Sequence, residues 1–252
     1  MPRPFQACLL CLTLLSAAQA GEVSVVSVAV AANFAMPMEL LVSQFEKQTG
    51  HKTRLSIGAT GKLYAQIKSG APFDVFLAAD DETPARLEKE GDAVAGSRFT
   101  YAVGQLVLWS ANTKLVDPQG RILASGGYKH LALASPSLAP YGAAAVQTLA
   151  GLGLLGALTP RFVQGESIGQ TYSFVATGNA ELGFVALSQI YANGKITGGS
   201  GWIVPSRLHR PLRQDAVLLV RARNNPAATA WISFLKTAQS KAVIRSFGYE
   251  TP

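Results

Sequence analysis

The chain has 252 residues, 48% of them hydrophobic and 15% charged, and a formal net charge of +7. That length suits one large domain or two lobes with ample core. The charge is spread thinly: the only basic cluster, Arg207, Arg210, Arg213, Arg221 and Arg223, lacks the aromatic interleaving of a nucleic-acid surface and reads as a solvated face.

The first twenty residues carry Arg3, an apolar core from Ala7 to Leu15, and the small-residue ending Ala18-Gln19-Ala20. This pattern predicts a secretory signal peptide over residues 1–20, cut after Ala20. The apolar run is short for a membrane span. Both cysteines, Cys8 and Cys11, lie inside it. The exported chain then has no cysteine for disulfides, thiolate metal sites or nucleophilic catalysis. Losing Arg3 leaves a charge of +6.

Val23 to Ala31 is apolar and β-branched, as a buried parallel strand is. The chain turns at Asn33, and Phe34, Met38, Leu41, Val42 and Phe45 follow at helical spacing. The plan then repeats: a strand from Thr53 to Ile57, a small-residue turn from Gly58 to Gly61, and a helix marked by Leu63, Tyr64 and Ile67. Asn33 and Thr60 stand where helix N-caps are expected. In a parallel α/β sheet both turns lie beyond the carboxyl ends of the strands, where free N–H groups and helix dipoles favour a small anion.

Asp74 to Ala79 is a third buried strand, and residues 80–84 carry the acids and proline of a helix start. Those acids lack a recognised metal-ligand spacing. Phe99 to Trp109 is a long apolar run, with Gly104 in its middle, able to pass from one lobe to another. A strand at Leu131–Ala134, a rigid loop over 135–142 and a helix from about Ala143 make a third corner. A strand at Phe162-Val163 and a helix from Ile168 to Gly178 make a fourth. Strands follow at Leu182–Leu187 and Trp202–Val204. The run from Asp215 to Val220 returns to the first lobe, and helices begin at Pro226 and Ser240. The expected architecture is α/β in two lobes, residues 21–104 plus 215–252 and residues 105–214. Two crossings near 100–107 and 210–216 permit hinge closure over a cleft. Lys62, beside the second corner, reads as a solvent-facing helix residue.

The segments VAVAANF, GATGKLYAQIKSGAPFDVFLAADD, SPSLAPYG, GESIGQTYSFV and IRSFGY, in this order from Val28 to Tyr249, resemble the periplasmic molybdate-binding proteins of molybdate uptake transporters. The resemblance covers nearly all of the chain after the leader. It implies a type II periplasmic-binding-protein fold, each lobe a mostly parallel sheet flanked by helices, with a two-strand hinge. It implies a tetrahedral molybdate or tungstate held by neutral donors, with no direct metal-ion ligands. Carried over position by position, Asn33 takes the first corner, with Ala32 offering its backbone. Thr60 takes the second, Tyr141 the third, and Ile168 gives its backbone N–H at the fourth. Ala186 stands where one branch has a ligand tyrosine, and Tyr141 is the candidate to supply that phenol. The implied partners are an inner-membrane ABC permease and its cytoplasmic ATPase, with the binding protein a periplasmic monomer without cofactor.

The donor set suits the chemistry. Molybdate at neutral pH is a dianion with acceptor oxygens only. Phosphate keeps a proton and gains from an acceptor, which the expected corners lack, so it is rejected. Sulfate differs only in size and is the alternative ligand. A hydrolase is the remaining alternative, but His51, His130 and His209 are the only imidazoles, and neither GxSxG nor HExxH occurs. No catalytic residue is expected.

Overall fold

The computed structural model describes residues 23–192 and 194–252. The expected signal peptide lies outside the described residues.

The first sheet forms from runs of buried aliphatic side chains. β1 (Val25–Ala31) is flanked by β2 (Lys52–Gly58) and β3 (Val75–Leu77), all parallel. α1 (Ala35–Thr49), α2 (Thr60–Lys68) and α3 (Glu82–Glu90) connect and follow them. β4 (Phe99–Gly104) sits at the far edge of this sheet. One residue later, β5 (Leu106–Ser110) is already in the second sheet. The long apolar run is thus a single path through both lobes, broken at Gln105.

In the second lobe α4 (Ile122–Ser125), β6 (Leu131–Ala134), α5 (Pro140–Gly151), α6 (Leu155–Leu158), β7 (Phe162–Gly165), α7 (Ile168–Ala176) and β8 (Leu182–Ala186) follow. The small hairpin of β9 (Tyr191–Ala192) and β10 (Lys195–Ile196) precedes β11 (Ser200–Ile203). The second sheet has the order β11-β5-β8-β6-β7, with β6 parallel to β7 and β8, and β5 antiparallel to β8 and β11.

The chain then returns through residues 204–211. β12 (Leu212–Leu218) inserts antiparallel between β3 and β4, completing the order β2-β1-β3-β12-β4. Leu212, Arg213 and Gln214 therefore belong to the first sheet, three residues earlier than the expected return at 215. The apolar pattern does not reveal this start, because Pro211 stands just before it and Arg213 and Gln214 interrupt the run. α8 (Pro226–Leu235) and α9 (Ala238–Ser246) close the chain on the first lobe.

Each sheet is covered on both faces, which explains strands that are apolar without alternation. On one face of the first sheet, Val26, Val28 and Val30 pack with Phe34, Met38, Phe45 and Trp231. On the other, Ala29 and Phe76 pack with Leu63, Ile67 and Leu87. In the second sheet Leu106, Leu108, Leu133 and Phe184 meet Leu149, while Val107, Trp109 and Val185 meet Val175 from α7. Burying each such side chain stabilises the fold by about 1.5–3 kcal/mol, as an upper bound.

Candidate functional site

Four helix starts converge between the lobes. A 3-10 turn, Ala32–Phe34, leads from β1 into α1, and its N-cap is Ala31. α2 is capped by Ala59 and α5 by Ala139. None of these alanines has a side-chain acceptor, so no cap side chain takes a first-turn N–H group. Only α7, capped by Ser167, spends its hydroxyl on its own backbone, at Gln170 N. Asn33 and Thr60 are therefore not caps: each lies one or two places inside its turn. Pro140 opens α5 at its first position, so Tyr141 belongs to the first turn of a helix that starts three residues before the expected one.

A void of about 10 Å³ lies among these starts, room for about one water-sized sphere. Ala32, Asn33, Thr60, Tyr141 and Ile168 all line it, together with Ala31, Gly58, Ala59, Ala79, Ala139 and Pro140. All five residues expected from the sequence thus meet at one place, and among the described residues no carboxylate or ammonium group lines it. Asp80, Asp81 and Glu82 line a separate outer cleft of about 310 Å³, which shares only Ala79, Ala139 and Pro140 with the void. Asp80 there is held by Thr83 N–H and Oγ1–H, at 2.8 and 3.0 Å, and burial pushes its carboxyl above the usual range.

Thr60 is set as a donor. Its Oγ1 accepts the Ala79 N–H at 3.0 Å, which leaves its own hydrogen free. Asn33 is deeper, 1% exposed. Its Nδ2 donates to Gln214 Oε1 at 2.8 Å and to Tyr249 Oη at 2.9 Å. Its carbonyl accepts from Ser188 Oγ at 2.7 Å and Tyr249 Oη at 2.8 Å.

Tyr141 lines the void, but its hydroxyl accepts from Gln214 Nε2 at 3.1 Å. A Cβ on Gly104, the last residue of β4, would lie 2.0 Å from that hydroxyl. Only glycine leaves the phenol its place. A second such contact fixes the corner itself: a Cβ on Gly142 would lie 2.2 Å from Ala134 O. Burial pushes the Tyr141 and Tyr101 phenols well above their ordinary range, and Tyr249 to about 12. All three are neutral hydrogen-bonding groups at physiological pH.

Tyr249, near the C-terminus, bonds Asn33 in the first lobe and Ser188 in the second. Gln214, Ser188, Tyr101 and Tyr249 escaped sequence reasoning. Gln214 carried one signal, a polar side chain inside an otherwise buried strand. Lys62 is the exposed helix residue expected. Its Nζ spans the cleft to Glu166 at 2.8 Å, while the neighbouring Gly61 N–H donates to Leu138 O at 2.9 Å.

The chain matches the bacterial extracellular solute-binding proteins over residues 26–250. It belongs to that family. Among relatives of this solute-binding protein, the molybdate-binding protein ModA of Azotobacter vinelandii is 61% identical over 94% of this chain and 92% of its own. ModA of Rhodobacter capsulatus is 49% identical over 93% and 90%. A solved structure of the Azotobacter vinelandii periplasmic molybdate-binding protein superposes with a TM-score of 0.88 at 46% identity, covering 90% of this chain and 99% of that one. The two sheets and their crossings accord with the type II two-lobe fold.

Proposed function

We propose that the protein captures molybdate, or tungstate, between its lobes in the periplasm and hands it to an inner-membrane ABC permease driven by a cytoplasmic ATPase. It reaches the periplasm by cleavage of the leader at residues 1–20 and acts as a monomer without cofactor or catalytic residue. One observation carries this reading: the five residues around the void bring hydroxyl, amide and backbone N–H groups and no charge. A dianion with acceptor oxygens alone matches such a lining, and helix dipoles at the four starts balance its charge. The names of the relatives point to the same ligand.

Asn33, Thr60, Tyr141, Ile168 and Ala32 are the proposed contacts. Thr60 gives its hydroxyl. Ala32 and Ile168 give backbone N–H. Tyr141 supplies a wall and its own first-turn N–H, its phenol being engaged with Gln214. Titration calorimetry over molybdate, tungstate, sulfate and phosphate tests the assignment. Tight binding of the first two with far weaker sulfate and phosphate is expected; sulfate binding as tightly as molybdate would defeat it. Asn33→Ala is expected to weaken molybdate binding by about 1–3 kcal/mol, the cost of an unpaired buried polar group.

A further inference from the structure

Asn33 raises a problem of hydrogen-bond count. Both of its amide hydrogens go inward, to Gln214 Oε1 and Tyr249 Oη. Its Oδ1 is buried without a partner among the described residues. Since Asn33 lines the void, this arrangement offers an acceptor to a ligand that has only acceptors. A second fault lies one residue deeper. Tyr101 has a single hydroxyl hydrogen, yet its Oη is 2.8 Å from Ala78 O and 3.1 Å from Gln214 Oε1, both acceptors.

Both faults disappear when the two amides turn end for end. Amide oxygen and nitrogen are close in size, so each group reverses in place, and the network decides which sense is held. Gln214 Nε2 then donates to Asn33 Oδ1 and to Tyr101 Oη, freeing the Tyr101 hydrogen for Ala78 O. Gln214 Oε1 accepts from the Tyr141 hydroxyl. Tyr249 donates to Asn33 Oδ1, while Ser188 continues to serve Asn33 O. Asn33 Nδ2 is left facing the void as a donor. Neither amide can turn alone. Reversing only Asn33 sets its Oδ1 against Gln214 Oε1, and reversing only Gln214 sets two NH₂ groups together.

We propose that Gln214 is a positioning residue for the anion site: it and Asn33 turn as a unit, and the sense of Gln214 decides whether Asn33 shows the ligand a donor or an acceptor. This rests on the reading of Asn33 as a ligand contact. The donor sense selects an oxyanion with no proton. The acceptor sense selects one that keeps a proton, such as hydrogen phosphate. The discrimination assigned to the site is therefore set by a side chain that does not touch the ligand.

The test is Gln214→Glu, which matches the size but can only accept. The Asn33 amide and the Tyr101 and Tyr141 hydroxyls then all donate to the carboxylate, which fixes Asn33 in the acceptor sense. Calorimetry at about pH 8 compares molybdate with hydrogen phosphate, the latter by competition; both carry close to two negative charges there, so the added carboxylate repels them alike. The ratio of molybdate to hydrogen-phosphate affinity is expected to fall at least about tenfold against the unaltered protein. Equal losses for both anions would overturn the proposal. Gln214→Met, which removes both ends, is expected to move the ratio much less. Should the glutamate variant not fold, nuclear Overhauser contacts of the Gln214 amide hydrogens in the molybdate-loaded protein decide: contacts with the Tyr101 hydroxyl support the proposal, contacts with Tyr141 refute it. Unchanged molybdate affinity in Asn33→Ala would instead remove Asn33 from the site, a separate failure.

Discussion

Thr60 is the donor whose hydrogen the fold itself leaves uncommitted. Its oxygen accepts the Ala79 N–H at 3.0 Å, its hydrogen has no acceptor among the described residues, and the residue lines the void. Thr60→Val keeps the shape and removes that hydrogen. Calorimetry is expected to show molybdate binding weakened by about 1–3 kcal/mol; an unchanged constant would place the hydroxyl elsewhere. Gly104 makes a different demand. Its absent Cβ would meet Tyr141 Oη at 2.0 Å and Gln214 Nε2 at 2.6 Å. Gly104→Ala is expected to cost about 1–3 kcal/mol of stability through overpacking. Adding Tyr141→Phe should return part of that loss, because the closest clashing atom is gone; a denaturant double-mutant cycle measures the coupling, and strict additivity would contradict it. The corner residues were legible because each sits in a short motif beside a strand end. The alanine caps Ala31, Ala59 and Ala139 were not, because an alanine before a helix signals nothing. Gln214, Ser188 and Tyr249 were illegible for another reason. They reach Asn33 across 181, 155 and 216 residues of chain, distances over which no local pattern runs.

At the scale of elements, the repeated strand–turn–helix unit does the positioning, and its hydrophobic periods announced it. What the periods could not supply is how α2 and α3 are tied together at the surface. Glu90 at the end of α3 accepts from Tyr64 Oη of α2 at 2.8 Å and from Arg86 Nε at 2.7 Å, with Lys68 Nζ at 3.2 Å. These bonds, Arg86 first, lower its carboxyl to about 2 from an ordinary 4.5. A carboxyl lowered on folding stabilises the folded state above its unfolded value, and that contribution fades as pH falls toward the folded value. Glu90→Gln is thus expected to lower the unfolding midpoint near neutrality. The difference should shrink below about pH 4.5 and vanish near pH 2, read by denaturant titration at each pH. A penalty constant with pH would assign the effect to packing instead. The tie matters to function because α2 carries Thr60 at its first position, so its anchorage at the far end fixes the direction of the helix start.

At the scale of the molecule, the question is how an anion reaches a void that holds about one water-sized sphere. The polar contacts between the lobes include Gly61 N–H to Leu138 O at 2.9 Å, Lys62 to Glu166 at 2.8 Å, Ser188 Oγ–H to Asn33 O at 2.7 Å, Tyr249 Oη–H to Ser188 Oγ at 2.9 Å and Gln214 Nε2–H to Tyr141 Oη at 3.1 Å. The last three are buried. The covalent links are one residue, Gln105, between β4 and β5, and residues 204–211 between β11 and β12. Such joints allow the lobes to part while each sheet keeps its own two-sided core. Exposed ion pairs are worth about 0–1 kcal/mol, so Lys62→Ala should weaken molybdate binding by no more than that and chiefly by faster release. On the proposed contacts, the anion bonded from both lobes adds a further tie to these. Small-angle scattering is expected to show a radius of gyration that falls when molybdate is added and does not fall with phosphate. A radius indifferent to molybdate, in protein that calorimetry shows to be loaded, would mean that the anion enters without lobe movement and that the hinge at Gln105 is rigid.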